Sequence, residues 1–156
     1  MRLAISGTPG TGKTEVARAL AGRLGWRLVE LNALAQEKGL YCGYDDKRKC
    51  KVVDIDGIAG ELEKVKGENI ILESHYAHEI PSDIVVILRT NPGELRKRLE
   101  SKGWGREKIE ENVQAEIMEV CREEAMERGG RVIEIETTGK KPEDVAGEIL
   151  EAMGMK

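Results

Sequence analysis

Cysteine is scarce in this chain. Cys42, Cys50 and Cys121 are too few, and odd in number, for a disulfide framework, so the fold must be held by an apolar core. No apolar run reaches the length of a membrane-spanning helix, and the sequence opens directly in a short apolar segment with no signal-peptide pattern. A cytoplasmic protein with free thiols is therefore expected. No basic stripe exists: 25 Lys and Arg are interleaved with 29 Asp and Glu for a net charge of −4, which argues against duplex nucleic acid as a direct ligand. Repeats, low-complexity tracts and linkers are missing, and 156 residues suit one domain spanning 1–156. Phenylalanine is absent and Gln and Asn are rare beside abundant Glu, Lys and Arg, a bias of proteins from hot environments. What remains, 40% apolar and 35% charged residues, is a globular profile.

Against that background one segment stands out. Gly7-Thr8-Pro9-Gly10-Thr11-Gly12-Lys13-Thr14 is a complete G-x-x-x-x-G-K-[ST] phosphate loop, placed between the apolar run Leu3-Ala4-Ile5 and a helical pattern over 15–24. Glycines leave backbone N–H groups open to phosphate, Lys13 reaches the β- and γ-phosphates, the Thr14 hydroxyl holds Mg²⁺, and the helix start adds its positive end. The expected ATP-binding set is Gly7, Gly10, Thr11, Gly12, Lys13, Thr14 and Glu15. The competing reading, a glycine-rich turn without a ligand, does not explain the order strand, loop, helix.

Further buried strands are expected over 27–31, 69–72, 83–88 and 131–135, and helices over 32–38, 56–66, 92–102, 106–128 and 142–153. Alternating strands and helices imply a parallel sheet covered on both faces. With the phosphate loop this is a P-loop NTPase, a three-layer α/β/α sandwich around a five-stranded parallel sheet. The stretches 39–53 and 103–105 read as irregular. Ligands of such sheets sit at the carboxyl ends of the strands, where the loops converge.

Glu73-Ser74-His75 follows the strand Ile70-Ile71-Leu72, where a phosphate-loop enzyme needs an acid near its metal. Glu73 is the candidate metal ligand beside Thr14, and His75 the candidate for orienting or deprotonating a water or a substrate hydroxyl, which makes Lys13, Glu73 and His75 the candidate catalytic set. In the plainer alternative Glu73 caps the following turn and His75 packs against it. A metal pair of His75 with His78 lacks a third ligand at matching spacing. Trp104 between Gly103 and Gly105, flanked by Lys102 and Arg106, reads either as a closing flap or as an ordinary turn between helices. Arg89 and Arg98 are the arginines best aimed at the strand ends.

These positions resemble the adenylate kinase isoenzyme six (CINAP) family in its archaeal form, almost end to end. The resemblance lies in Gly7 to Thr14, Gly39 to Asp46, Glu73-Ser74-His75, Leu88-Arg89-Thr90, Arg98 to Trp104, Glu111 to Ile117 and Lys141-Pro142-Glu143. It implies a nucleoside-monophosphate kinase with a short lid at about 101–111 and a monophosphate-binding segment at about 30–53, using Mg²⁺ and ATP, phosphorylating AMP and also hydrolysing ATP. It implies that Tyr41, Gly43, Tyr44, Asp45 and Arg89 serve the monophosphate, and that Lys102 and Lys141 contact ATP. It further implies late maturation of the small ribosomal subunit, with transient binding of a platform ribosomal protein, an S-eleven homologue. Two departures stand out: Glu73 where relatives often have Asp, and Lys102 where the lid cation is usually Arg, which cannot be replaced fork for fork by an ammonium. A small-metabolite P-loop kinase is the remaining alternative.

Overall fold

The computed structural model describes residues 1–47 and 50–155. Its central sheet is built from β1 (Arg2–Ser6), β2 (Arg27–Glu30), β5 (Ile70–Glu73), β6 (Ile84–Arg89) and β7 (Arg131–Glu136), in the order β2-β5-β1-β6-β7, every pairing parallel. Short apolar runs that are buried on both faces make such strands. Side chains alternate between faces. Leu3, Ile5, Ile71, Ile84, Val86 and Leu88 enter one core layer with α1 (Lys13–Leu24) and α7 (Pro142–Ala152). Ala4, Ile70, Leu72, Val85 and Ile87 enter the other, with α2 (Leu31–Lys38), α3 (Ile55–Leu62) and α6 (Val120–Arg128). A third cluster joins Leu95 and Leu99 of α4 (Pro92–Ser101) to Ile109 and Val113 of α5 (Arg106–Ile117), with Trp104 packed against it. This is the expected five-stranded α/β sandwich.

Local chemistry sets the ends. Pro92 and Pro142 occupy first-turn positions, where a missing N–H costs nothing, and the Asn91 and Asp54 side chains cap α4 and α3.

Three sequence expectations are corrected. Residues 39–53, expected irregular, form an antiparallel hairpin of β3 (Tyr41–Asp45) and β4 (Cys50–Val53), with a register shift between Tyr41 and Gly43; residues 48 and 49 of this segment lie outside the described residues. The helix expected over 56–66 ends at Leu62 and continues as a 3₁₀ turn over Glu63–Val65. The single helix expected over 106–128 is two, because Glu119 adopts left-handed φ of 57° while Arg89 draws off the Glu116 carbonyl and the Glu119 carboxylate. No helix among the described residues is long and apolar enough to cross a membrane.

Candidate nucleotide site

The carboxyl ends of β1 and β5 bring the phosphate loop beside Glu73. The loop's shape requires glycine: a Cβ on Gly7 would sit 2.7 Å from the Leu88 carbonyl oxygen, and Gly12, which starts α1, has left-handed φ of 89°. The Thr8 carbonyl organises the turn, accepting from the Thr11 backbone N–H at 3.2 Å, the Thr11 hydroxyl at 2.8 Å and Lys13 Nζ at 3.2 Å. Lys13 is only 8% exposed, and this burial lowers its pKa from 10.5 to about 8, although Glu73 pulls it back up. An ammonium short of water and held by one carbonyl is poised to exchange that partner for a polyphosphate.

Glu73, at the last position of β5, is buried, and its Oε1 accepts from Thr14 Oγ1 at 3.3 Å. Burial raises the carboxyl pKa, with Lys13 and the Thr14 hydroxyl opposing. Adjacent oxygens on an octahedral Mg²⁺ with bonds of about 2.1 Å lie about 3.0 Å apart, so this hard-oxygen pair fits the ion. His75, two residues on, is exposed, its ring edge-on to Tyr76 with centroids 5.0 Å apart.

A cavity of about 550 Å³ opens over Gly10 to Val16 and is also lined by Arg98, Ser101, Lys102, Thr137 and Lys140. That volume suits one nucleotide. Arg98 reaches it from α4, donating through Nη1 to the Gly10 carbonyl at 3.2 Å and through Nη2 to Glu94 at 2.8 Å. Glu15 and Lys102 line the cavity. Lys141 is the residue flanking α7, and it is Lys140 that lines the cavity, its Nζ 3.0 Å from Glu148. Lys102 and Lys108 approach the Trp104 ring at 5.9 and 4.1 Å.

Tyr41, Gly43, Tyr44 and Asp45 share β3, with Tyr41 half-buried beneath the Lys51 ammonium and Tyr44 exposed. Arg89 is held elsewhere. Its Nε donates to Glu116 Oε2 at 2.9 Å, its Nη2 to the Glu116 carbonyl at 2.8 Å, and its Nη1 to Glu119 at 3.2 Å, with Glu134 at 3.6 Å. In this arrangement the guanidinium ties β6 to α5 and to Glu119 at the start of α6.

Glu116 itself is the residue that sequence reasoning left without a role. It is 3% exposed, and its carboxylate also accepts from Thr8 Oγ1 at 2.9 Å and the Thr90 backbone N–H at 2.8 Å. It thus fastens the phosphate loop to α5. An acid between two helical turns of otherwise solvated charge carries no local sign of this.

Similarity to known proteins agrees with this geometry. A family model described as an AAA domain matches residues 3–119. A protein of Pyrococcus furiosus named "Putative adenylate kinase" is 44% identical over 151 residues, covering 96% of this chain and 82% of the relative. One of the same name from Methanosarcina acetivorans is 41% identical over 157 residues, covering 96% and 84%. Among solved structures, shikimate kinase from Acinetobacter baumannii in complex with shikimate aligns with a TM-score of 0.67 at 19% identity, covering 97% of this chain and 92% of that one. A gluconokinase from Sinorhizobium meliloti 1021 aligns at 0.60 with 15% identity, covering 98% and 91%. At such identities the structural likeness speaks for the fold alone, that of P-loop kinases.

Proposed function

The chain belongs to the family of the archaeal proteins named "Putative adenylate kinase", and from that premise we propose that it is a nucleoside-monophosphate kinase catalysing ATP + AMP = 2 ADP. The observation that carries the reading is the convergence of Lys13, Thr14 and Glu73 at one end of the sheet, with Thr14 and Glu73 3.3 Å apart. Bound there by Thr14 and Glu73, Mg²⁺ would neutralise charge on the phosphate oxygens. Gly7, Gly10, Thr11, Gly12 and Glu15 shape the cradle, Lys13 leaves the Thr8 carbonyl for the β- and γ-phosphates, and Lys102, Arg98 and Lys141 or its neighbour Lys140 surround the rest of ATP. The β3 residues Tyr41, Gly43, Tyr44 and Asp45 receive the monophosphate within the segment 30–53, and the segment 101–111 closes over the cavity. Catalysis is then positioning and charge stabilisation in a water-poor site.

Exposed two residues from Glu73, His75 favours a second activity, ATP hydrolysis, by holding a water. This reading extends to the isoenzyme six (CINAP) subtype, to transient binding of a small-subunit platform ribosomal protein and to a cytoplasmic setting, which suits three free thiols. The test is a pair of variants. Lys13→Ala should abolish every turnover, and His75→Ala should depress hydrolysis more than phosphorylation of AMP. Equal losses in His75→Ala would remove the histidine from hydrolysis, and turnover retained by Lys13→Ala would remove the loop from catalysis.

A further inference from the structure

Beneath the phosphate loop lies a side-chain cluster that phosphoryl transfer does not use. His78 sits on the 3₁₀ turn Ala77–Glu79, and Cys121 and Glu124 stand three residues apart on α6; their ligand atoms all lie within 4.8 Å of one another. His78 is 4% exposed. Its Nδ1 is 2.7 Å from Ser6 Oγ, which aims Nε2 at α6, where Glu124 Oε1 lies 3.2 Å away. One imidazole nitrogen fixed by a hydroxyl and the other presented to a thiol and a carboxylate is how metal-ligating histidines are held. The sequence suggested only a pairing of His78 with His75. The fold supplies instead two ligands more than forty residues downstream, and Cys121 Sγ stands 3.9 Å from the His75 carbonyl and beside the Thr8 hydroxyl.

We propose that His78, Cys121 and Glu124 form a binding site for a zinc-type divalent cation, with water completing a tetrahedron. One nitrogen, one sulfur and one oxygen select a borderline-soft ion, whereas Mg²⁺ prefers six oxygens. The reaction is balanced by a proton: the dication binds the thiolate and the thiol proton leaves to solvent, while carboxylate and neutral imidazole donate lone pairs unchanged. Thiolate and carboxylate together cancel the charge of the ion, so the filled site is neutral, and exchange of one proton for a dication raises its charge by one. Through Ser6, the residue before Gly7, the ion would pin the root of the phosphate loop to α6.

The test uses the nucleotide-free 156-residue protein carrying Cys42→Ser and Cys50→Ser, so that Cys121 is its sole thiol. Titration with Co²⁺ should produce a near-ultraviolet thiolate-to-cobalt absorption that saturates at one equivalent and is displaced by Zn²⁺. Glu124 is half-exposed, so Glu124→Gln should leave the fold intact and weaken cobalt binding at least about tenfold, and His78→Gln should do the same. Absence of the thiolate band, or a band that Glu124→Gln and His78→Gln leave unchanged, would overturn the site.

Discussion

Thr8 of the phosphate loop donates its hydroxyl to Glu116 Oε1 at 2.9 Å across 108 residues of sequence. The same carboxylate holds Arg89 and the Thr90 backbone, so one buried acid fixes the loop, the end of β6 and α5 in a single arrangement. Truncation to Glu116→Ala leaves three donors, Arg89 Nε, the Thr8 hydroxyl and the Thr90 backbone N–H, without their acceptor and should cost about 3 kcal/mol. Glu116→Gln, which keeps oxygen and shape, should cost less. Denaturant unfolding of both variants measures this; a loss below about 1 kcal/mol for Glu116→Ala would refute the fastening role.

Lys13 is depressed from 10.5 to about 8 in the folded, nucleotide-free protein. Between these values the unfolded chain holds a proton that the folded chain lacks, so this group makes stability rise with pH across that window, and its penalty is complete below it. The shift corresponds to about 3 kcal/mol. Lys13→Met should therefore be more stable than the parent by about that amount at pH 7, with the difference vanishing toward pH 10.5. Binding of ATP at pH 9 should take up protons as phosphate restores the ammonium, seen by calorimetry in buffers of different ionisation enthalpy. A Lys13→Met protein no more stable than the parent would show that the ammonium is not buried at a cost.

Thr14 and Glu73 should act together on Mg²⁺. Thr14→Ala and Glu73→Gln should each raise the Mg²⁺ concentration for half-maximal rate by about ten- to a hundredfold. Because burial raises the Glu73 carboxyl, the Mg²⁺-dependent rate should fail, as pH drops, above the ordinary glutamate range. Unchanged Mg²⁺ dependence in both variants would separate this pair from the metal.

The two arginines at the strand ends should part company. Arg98 lines the cavity, so Arg98→Lys should lower kcat/KM for ATP by about ten- to a thousandfold with stability nearly intact. Arg89 is surrounded by carboxylates, so Arg89→Ala should lower stability by about 3 kcal/mol or more. Steady-state kinetics beside thermal unfolding distinguish them, and the reverse pattern would return Arg89 to the substrate site.

The sheet and the loop were legible because their determinants are local. Alternating buried faces in Leu3-Ala4-Ile5 and the glycines at 7, 10 and 12 speak within a few residues of themselves. The hairpin over Tyr41–Val53 was not, since it stands apart from the main sheet and β3 is largely exposed, so no apolar alternation announces it. Nor was the break at Glu119, because helical periodicity runs through it and the Glu119 carboxylate is held in part by the distant Arg89. Among the site residues, Glu73 was recognisable from its strand-end position, whereas the parts played by Glu116 and Arg89 depend on contacts between residues far apart in sequence.

The most direct test is the stoichiometry of nucleotide conversion. Pure protein is incubated with Mg²⁺ and ATP, with and without AMP, with Lys13→Ala as control, and nucleotides are separated by chromatography. The account predicts AMP-dependent loss of ATP with two ADP formed for each AMP consumed, and no conversion by the variant. ADP formed at the same rate without AMP, with AMP untouched, would contradict it.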